Sequence, residues 1–144
     1  MEIERKFRIS RLPDLTDCSF HALEQAYLNR DPVIRIRKED DSYYMTYKGK
    51  GLLVREEYNL PLNRESYYHL LSKADGKIIR KTRYLIPYGR HTIELDIFSS
   101  PQEGLMIAEV EFESQEEANA FEPPEWFLED VTSDTAYHNA NLSR

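Results

Sequence analysis

The sequence predicts a mainly β protein, a sandwich or a barrel, and three observations carry that reading. Short strand-like runs recur along the 144 residues with turn signals between them. Only two stretches before the C-terminal tail show a helical pattern. Nearly every strand-like run sets two charged residues two positions apart, with apolar residues pointing the other way, which is the period of an extended chain.

The strand-like runs fall at 2–9, 20–28, 32–39, 42–48, 53–60, 79–86, 91–98 and 106–112. "KGKG" at 48–51 lies between two of them and reads as a hairpin turn. Residues 64–74 follow Asn63, an acceptable N-cap, and set Tyr67, Leu70, Leu71 and Ala74 on one side of a helix. At 114–121, Ser114 and Glu117 have capping-box spacing ahead of Ala118 and Phe121. "EPPEWF" at 122–127 breaks any helix, and its Trp126 reads as apolar cover. The tail from Ser133 to Arg144 is assigned a final short helix. No repeat or linker divides the chain, so 1–144 reads as one domain long enough to bury an ordinary core.

Composition narrows the function classes. A net charge of −7 argues against a general nucleic-acid or anionic-membrane surface, though not against a small basic pocket. No apolar run is long enough to cross a bilayer, and Glu2 and Glu4 stand where a secretory signal needs apolar residues. The single cysteine, Cys18, fits a reducing cytosol, so the expected location is the cytoplasm. His21, His69, His91 and His138 lack metal-site spacing and read as surface or structural residues. "GKG" lacks the spacing of a phosphate-binding P-loop.

The charge pairs are the informative part. "MEIERKF" sets Glu2, Glu4 and Lys6 on one face, which taken alone fits a solvated strand. The pattern then repeats as Arg35 and Arg37 in "VIRIRK", Thr46 and Lys48 in "YYMTYK", and Arg55 and Glu57 in "VREEYNL". It continues as Lys81 and Arg83 in "RKTRYLI", Glu94 and Asp96 in "TIELDIF", and Glu109 and Glu111 in "AEVEFE". A solvated face would mix in more Ser, Thr and Gln, whereas arginine and carboxylate predominate here. If the sheet closes with this face inward, bases and acids share one lumen, and the helices and "PPEWF" must cover the apolar outside. Such an interior is costly unless a ligand or counter-charge occupies it. Clustered carboxylates suit a hard divalent cation, and Arg and Lys match phosphate oxygens, so together they predict a metal-bound polyphosphate.

In this order the residues resemble the CYTH superfamily, the triphosphate tunnel metalloenzymes. "EIERK" matches its ExExK signature, and "QAYL" (25–28), "RIR" (35–37), "TYK" (46–48), "REE" (55–57), "KTR" (81–83), "ELD" (94–96) and "EVE" (109–111) follow in sequence. The chain looks most like the short bacterial members that hydrolyse inorganic triphosphate. The resemblance implies an eight-stranded antiparallel closed barrel around a tunnel, with a few covering helices, and Mg²⁺ or Mn²⁺ as cofactor. It implies that Lys6, Arg35, Arg37, Lys48, Arg55, Lys81 and Arg83 bind triphosphate. It further implies that Glu2, Glu4, Glu57, Glu94, Asp96, Glu109 and Glu111 bind metal or orient water, with Glu2, Glu4 and Glu111 foremost. Lys6 and Tyr27 match a pair proposed as catalytic. Among other cations Lys6 is expected to have a depressed pKa, which would make it a general base; the alternative is that it only neutralises phosphate while Tyr27 packs. Asn59 stands where a further acid often continues the pattern; the tail "DTAYHN" (134–139) resembles a family "DxRYxN" segment, with Asp134, Tyr137 and Asn139 retained but Ala136 where a base is usual.

The expected activity is metal-dependent hydrolysis of inorganic triphosphate to pyrophosphate and phosphate. The expected partner is that small molecule, with no nucleic acid and no membrane, and the oligomeric state is left open, a homodimer included. Thiamine or nucleoside triphosphatase, a class IV-like adenylate cyclase and a non-catalytic polyphosphate-binding module are the alternatives. Thiamine triphosphatase and the cyclase need a pocket for an organic group, and no clear one is evident in the sequence, whereas a triphosphate grip does not by itself exclude a nucleotide. A binding module needs the bases but not the full set of carboxylates.

Overall fold

The computed structural model describes all 144 residues. In chain order the strands are β1 (Glu2–Ile9), β2 (Ser19–Arg30), β3 (Val33–Glu39), β4 (Ser42–Lys48), β5 (Val54–Arg55), β6 (Glu57–Leu62), β7 (Asp75–Tyr88), β8 (His91–Ser100), β9 (Met106–Glu111) and β10 (Phe127–Asp130). Helix α1 (Arg64–Leu71) follows β6, α2 (Gln115–Ala120) follows β9, and a 3-10 turn (Thr135–Tyr137) leads into α3 (Asn139–Leu142).

Nine strands form one antiparallel path, β10-β1-β9-β8-β7-β2-β3-β4-β6, and β5 pairs with β1 off that path. Only Glu56 separates β5 from β6, so the two act as one broken strand. One half pairs with β4, as in Lys48↔Glu57, and the other pairs with β1, as in Glu2↔Arg55. The path thereby returns on itself as a nearly closed barrel. The expected run at 53–60 is this broken strand, and the wall has the eight positions expected. β10 is an addition to the expected strands. It pairs with the end of β1 at Phe7↔Asp130 and Ile9↔Phe127, beyond where β5 leaves off. The turn before β5 needs glycine: Gly51 has φ +131°, and a Cβ there would meet the Val54 carbonyl oxygen.

The alternation seen in the sequence sorts the two sides of the wall. Ile36 packs outward with Ala26 beneath Tyr67 of α1, while Arg35 and Arg37 face the cavity. Helix α1 begins at Asn63, whose Oδ1 accepts the Ser66 N–H at 2.7 Å, while Ser66 Oγ accepts the Asn63 N–H. On the far side Phe7, Ile93, Leu95 and Val110 meet Phe112, Phe121, Trp126 and Phe127. Trp126 stands edge-on to Phe127 with ring centroids 4.7 Å apart, as apolar cover. Because the lumen is charged, the apolar core lies mainly outside the barrel, between its wall and the α1, α2 and β10 layers.

Candidate active site

The lumen opens into a cavity of about 540 Å³. Of the site residues expected from the sequence, every one lines it except Lys81 and Asp96. Those two form a buried ion pair at 2.7 Å in the wall itself. Asp96 also receives both prongs of Arg83, Nε to Oδ1 at 2.8 Å and Nη2 to Oδ2 at 2.9 Å. Arg83 reaches Glu94 at 3.2 Å and Glu109 at 3.3 Å as well. Its charge is thus shared among three acids.

The cavity's charges separate into two kinds. Lys6 lies 3.5 Å from Glu109, and Lys48 lies 3.1 Å from Glu2 and 3.5 Å from Glu57. Three arginines are held by neutral acceptors only. Arg35 donates to the Thr46 hydroxyl at 3.1 Å, and its Nε is buried without a partner. Arg37 donates through Nε and Nη2 to Gln25 Oε1, at 2.9 and 2.6 Å, and through Nη1 to the Tyr44 hydroxyl at 3.3 Å. Arg55 donates to the Gly49 carbonyl at 3.1 Å. Arg35 and Arg37 are only 5% and 6% exposed, so their charges are largely withheld from water. Burial, and then the neighbouring Arg37, lower the pKa of Arg35.

The opposite imbalance surrounds Glu4. Its register brings it beside Glu111 across β1 and β9, and Glu94 faces Glu109 across β8 and β9. Carboxylate oxygens of Glu2, Glu4 and Glu111 lie within 4.8 Å of one another, as do those of Glu4, Glu94 and Glu109. Burial, and then Glu109 and Glu2, raise the Glu4 carboxyl well above its usual range. Burial and the surrounding acids push Glu111 up to about 7, and burial with Glu109 and Asp96 raises Glu94 against the pull of Arg83. An oxygen-only donor set with excess negative charge fits a hard divalent cation, and Glu4 belongs to both groups.

The expectation that Lys6 loses its proton among cations is overturned. Burial favours the neutral amine, but Glu109, Glu4, Tyr27 and Asp96 outweigh it and raise the Lys6 pKa. Sequence alternation places Lys6 in the lumen but does not disclose that acids from β8 and β9 crowd it. The lysine whose pKa falls is Lys81, brought down to about 8 by burial and by Arg83 and Arg37, against the opposing pull of Asp96. Tyr27 is buried on the cavity wall.

The tail reaches the cavity and the barrel interior, through Tyr137 and Asn139 of the segment that resembles the family's and through a residue the pattern does not single out. His138 reads from the sequence as surface or structural, yet it lines the cavity with Nε2 3.2 Å from the Thr132 carbonyl. Lys6 Nζ donates to the Tyr137 carbonyl at 3.4 Å, and Lys81 Nζ to Asn139 Oδ1 at 3.3 Å. Arg30 binds the Ala140 carbonyl and Ser143 Oγ, fastening the tail to β2. The short hydrophilic segment offers no period from which its docking could be read.

The CYTH domain model matches residues 1–141. The chain belongs to the CYTH family. An inorganic triphosphatase of Nitrosomonas europaea is 40% identical over 149 residues, covering 99% of this chain and 96% of the relative. One of Acetivibrio thermocellus is 32% identical over 146 residues, covering 98% and 92%. The crystal structure of the inorganic triphosphatase NE1496 superposes with a TM-score of 0.73 at 35% identity, covering 99% of this chain and 94% of that one. The antiparallel barrel described above is therefore a CYTH barrel, and its lumen holds the charge pairs that carried the resemblance.

Proposed function

We propose that this CYTH protein is an inorganic triphosphatase: a metal-dependent hydrolase that cleaves tripolyphosphate to pyrophosphate and phosphate. The observation that carries the reading is the division of charge inside the cavity. Arg35, Arg37 and Arg55 have no acid partner, and the carboxylates around Glu4 have more negative charge than nearby bases neutralise. A polyphosphate with a divalent ion satisfies both halves at once.

In this reading Arg35, Arg37 and Arg55, with Lys6 and Lys48, grip the phosphate oxygens. Glu2, Glu4 and Glu111, with Glu94 and Glu109, hold the ion, Mg²⁺ or Mn²⁺, which supplies Lewis-acid neutralisation and a more acidic water. Glu57 holds Lys48 in position. Lys6 keeps its proton and neutralises the charge that develops on the oxygens, with Tyr27 as its neighbour on the wall. Water bonds to the terminal phosphorus as the bond to the bridging oxygen breaks and pyrophosphate leaves; one water proton stays on the phosphate formed and the other passes to solvent, and positioning and charge neutralisation do most of the work. Asp96, itself paired with Lys81, holds Arg83 in position. The partner is the small triphosphate, with no nucleic acid or membrane involved. Chain 1–144 acts as one domain, and the lone Cys18 and overall charge suit the cytoplasm. No helix is long and apolar enough to cross a membrane.

The test is phosphate release from tripolyphosphate, ATP and thiamine triphosphate with Mg²⁺, Mn²⁺ or EDTA. Metal-dependent release from tripolyphosphate well above the other two is expected. Tight tripolyphosphate binding without release would make the barrel a binding module. Preference for an organic triphosphate would move the substrate to one of the larger alternatives.

A further inference from the structure

Three neutral side chains, Gln25, Thr46 and Asn59, stand behind two of the cavity's arginines. Gln25 lies on β2 opposite Arg37 and is fully buried. A guanidinium can only donate, so Gln25 must turn Oε1 towards it. Both bonds from Arg37 to Gln25 end on that oxygen, at 2.9 and 2.6 Å, while the Gln25 amide nitrogen is left buried without an acceptor. A glutamate has the same shape and would bind a buried guanidinium more strongly through two charged oxygens. The residue present holds Arg37 in place without cancelling its charge, and strands a buried N–H in doing so.

Arg35 is treated in the same way one layer along. Its Nη2 donates to Thr46 Oγ1 at 3.1 Å, and Thr46 passes its own proton to Asn59 Oδ1 at 2.6 Å. Asn59 Nδ2 then donates to Glu57 Oε1 at 3.3 Å. An acid at position 59 would put a negative charge behind Thr46, directly in line with Arg35. The asparagine relays the hydrogen bond on to Glu57 without adding a second negative charge beside Thr46. Arg83 shows the other outcome in the same lumen, with acids at every contact.

We infer that Gln25 and the Thr46–Asn59 pair are positioning residues that hold Arg37 and Arg35 with neutral acceptors, so that both charges remain available for the substrate's phosphate oxygens. This rests on the triphosphatase reading. It makes substrate affinity depend on residues that sit behind the arginines.

The test is Gln25→Glu, with Asn59→Asp at the more exposed position as the second variant, each measured for tripolyphosphate KM, kcat and thermal midpoint. For Gln25→Glu, KM should rise about tenfold or more, as expected for loss of one charge-assisted contact, with kcat changed much less. Its thermal midpoint should equal or exceed wild type, because the variant adds a partner to a buried cation. Asn59→Asp should raise KM in the same direction, and it carries the test if Gln25→Glu does not fold. A purely structural role for Gln25 would instead lower the midpoint and leave KM unmoved in the folded fraction. Wild-type KM in both folded variants would overturn the inference and leave the triphosphatase reading intact. Absence of tripolyphosphate turnover and binding in the wild type would remove the reading on which it rests.

Discussion

Arg83 on β7 and Asp96 on β8 are register partners on adjacent strands and join through two bonds, at 2.8 and 2.9 Å. Lys81 meets the same carboxylate at 2.7 Å. One buried acid therefore joins two buried cations, and removing it leaves the fully buried Lys81 without an ion-pair partner and takes from Arg83 one of its three acids. Asp96→Ala should cost about 3–5 kcal/mol of stability, the range found when one partner of a buried ion pair is deleted. Chemical denaturation measures it. A variant as stable as wild type but inactive would make Asp96 a site ligand rather than part of the wall.

Arg35 should behave in the opposite way. It has no acid to orphan, only the Thr46 hydroxyl, and its burial already penalises its charge. Arg35→Met keeps the stem's packing and deletes the cation. Its melting temperature should be no lower than wild type, while KM for tripolyphosphate rises by about tenfold or more. A large fall in melting temperature with unchanged KM would place Arg35 among the structural charges.

Lys6→Arg separates charge from base chemistry. With Lys6 held protonated by Glu109 and Glu4, its work is neutralisation, and a guanidinium, which stays charged at any working pH, can do that work. Lys6→Arg should keep kcat within about tenfold of wild type, and Lys6→Met should fall much further. Equal, near-complete loss in both would return Lys6 to the role of general base.

How much of the fold and site is legible in the sequence depends on which force decides each part. Alternation fixes which side of a strand a residue takes, so Ile34 and Ile36 part from Arg35 and Arg37, and the same split repeated from strand to strand points to a charged lumen. Alternation is blind to partners across strands. It cannot tell that Arg83 is saturated with acids while Arg37 is not, because that depends on register between β2, β3, β7 and β8. The raised Lys6 reverses the expectation for the same reason. β10 escapes because "FLED" is short and follows prolines; it is a strand only because the outer end of β1 offers it an edge. His138 escapes because the tail is placed by fastenings such as Arg30 to Ser143 rather than by any period of its own.

Glu4→Gln tests the carboxylate cluster. Glu4 is shared by both acid groups, so losing its charge should nearly abolish metal-dependent turnover. The same change relieves repulsion from Glu109 and Glu2, so melting of the metal-free protein should stay at or above the wild-type temperature. Wild-type turnover in this variant would remove Glu4 from the metal site.

The cluster also predicts how stability follows pH. Glu111 is held up at about 7 by burial first and then by Glu94, Glu2, Glu57 and Glu109, against an ordinary value of 4.5. Between those values the folded chain binds more protons at this group than the unfolded chain does. Stability from it is present below the ordinary value and is lost as pH rises through the folded one. Glu4 and Glu94 act in the same direction. His138, lowered by burial and by the charges of Lys6, Arg55 and Lys48, contributes the opposite slope near its ordinary 6.5, and Lys81 titrates above the window. Comparing wild type with Glu111→Gln cancels those two contributions. In EDTA, wild type should lose more melting temperature than Glu111→Gln between about pH 5 and about pH 7.5. Mg²⁺ should remove most of that difference, because a bound cation favours the ionised carboxylate. Identical pH profiles for the two proteins in EDTA would mean that Glu111 is not held up by its neighbours, and that the acids do not crowd one another in the way their register requires.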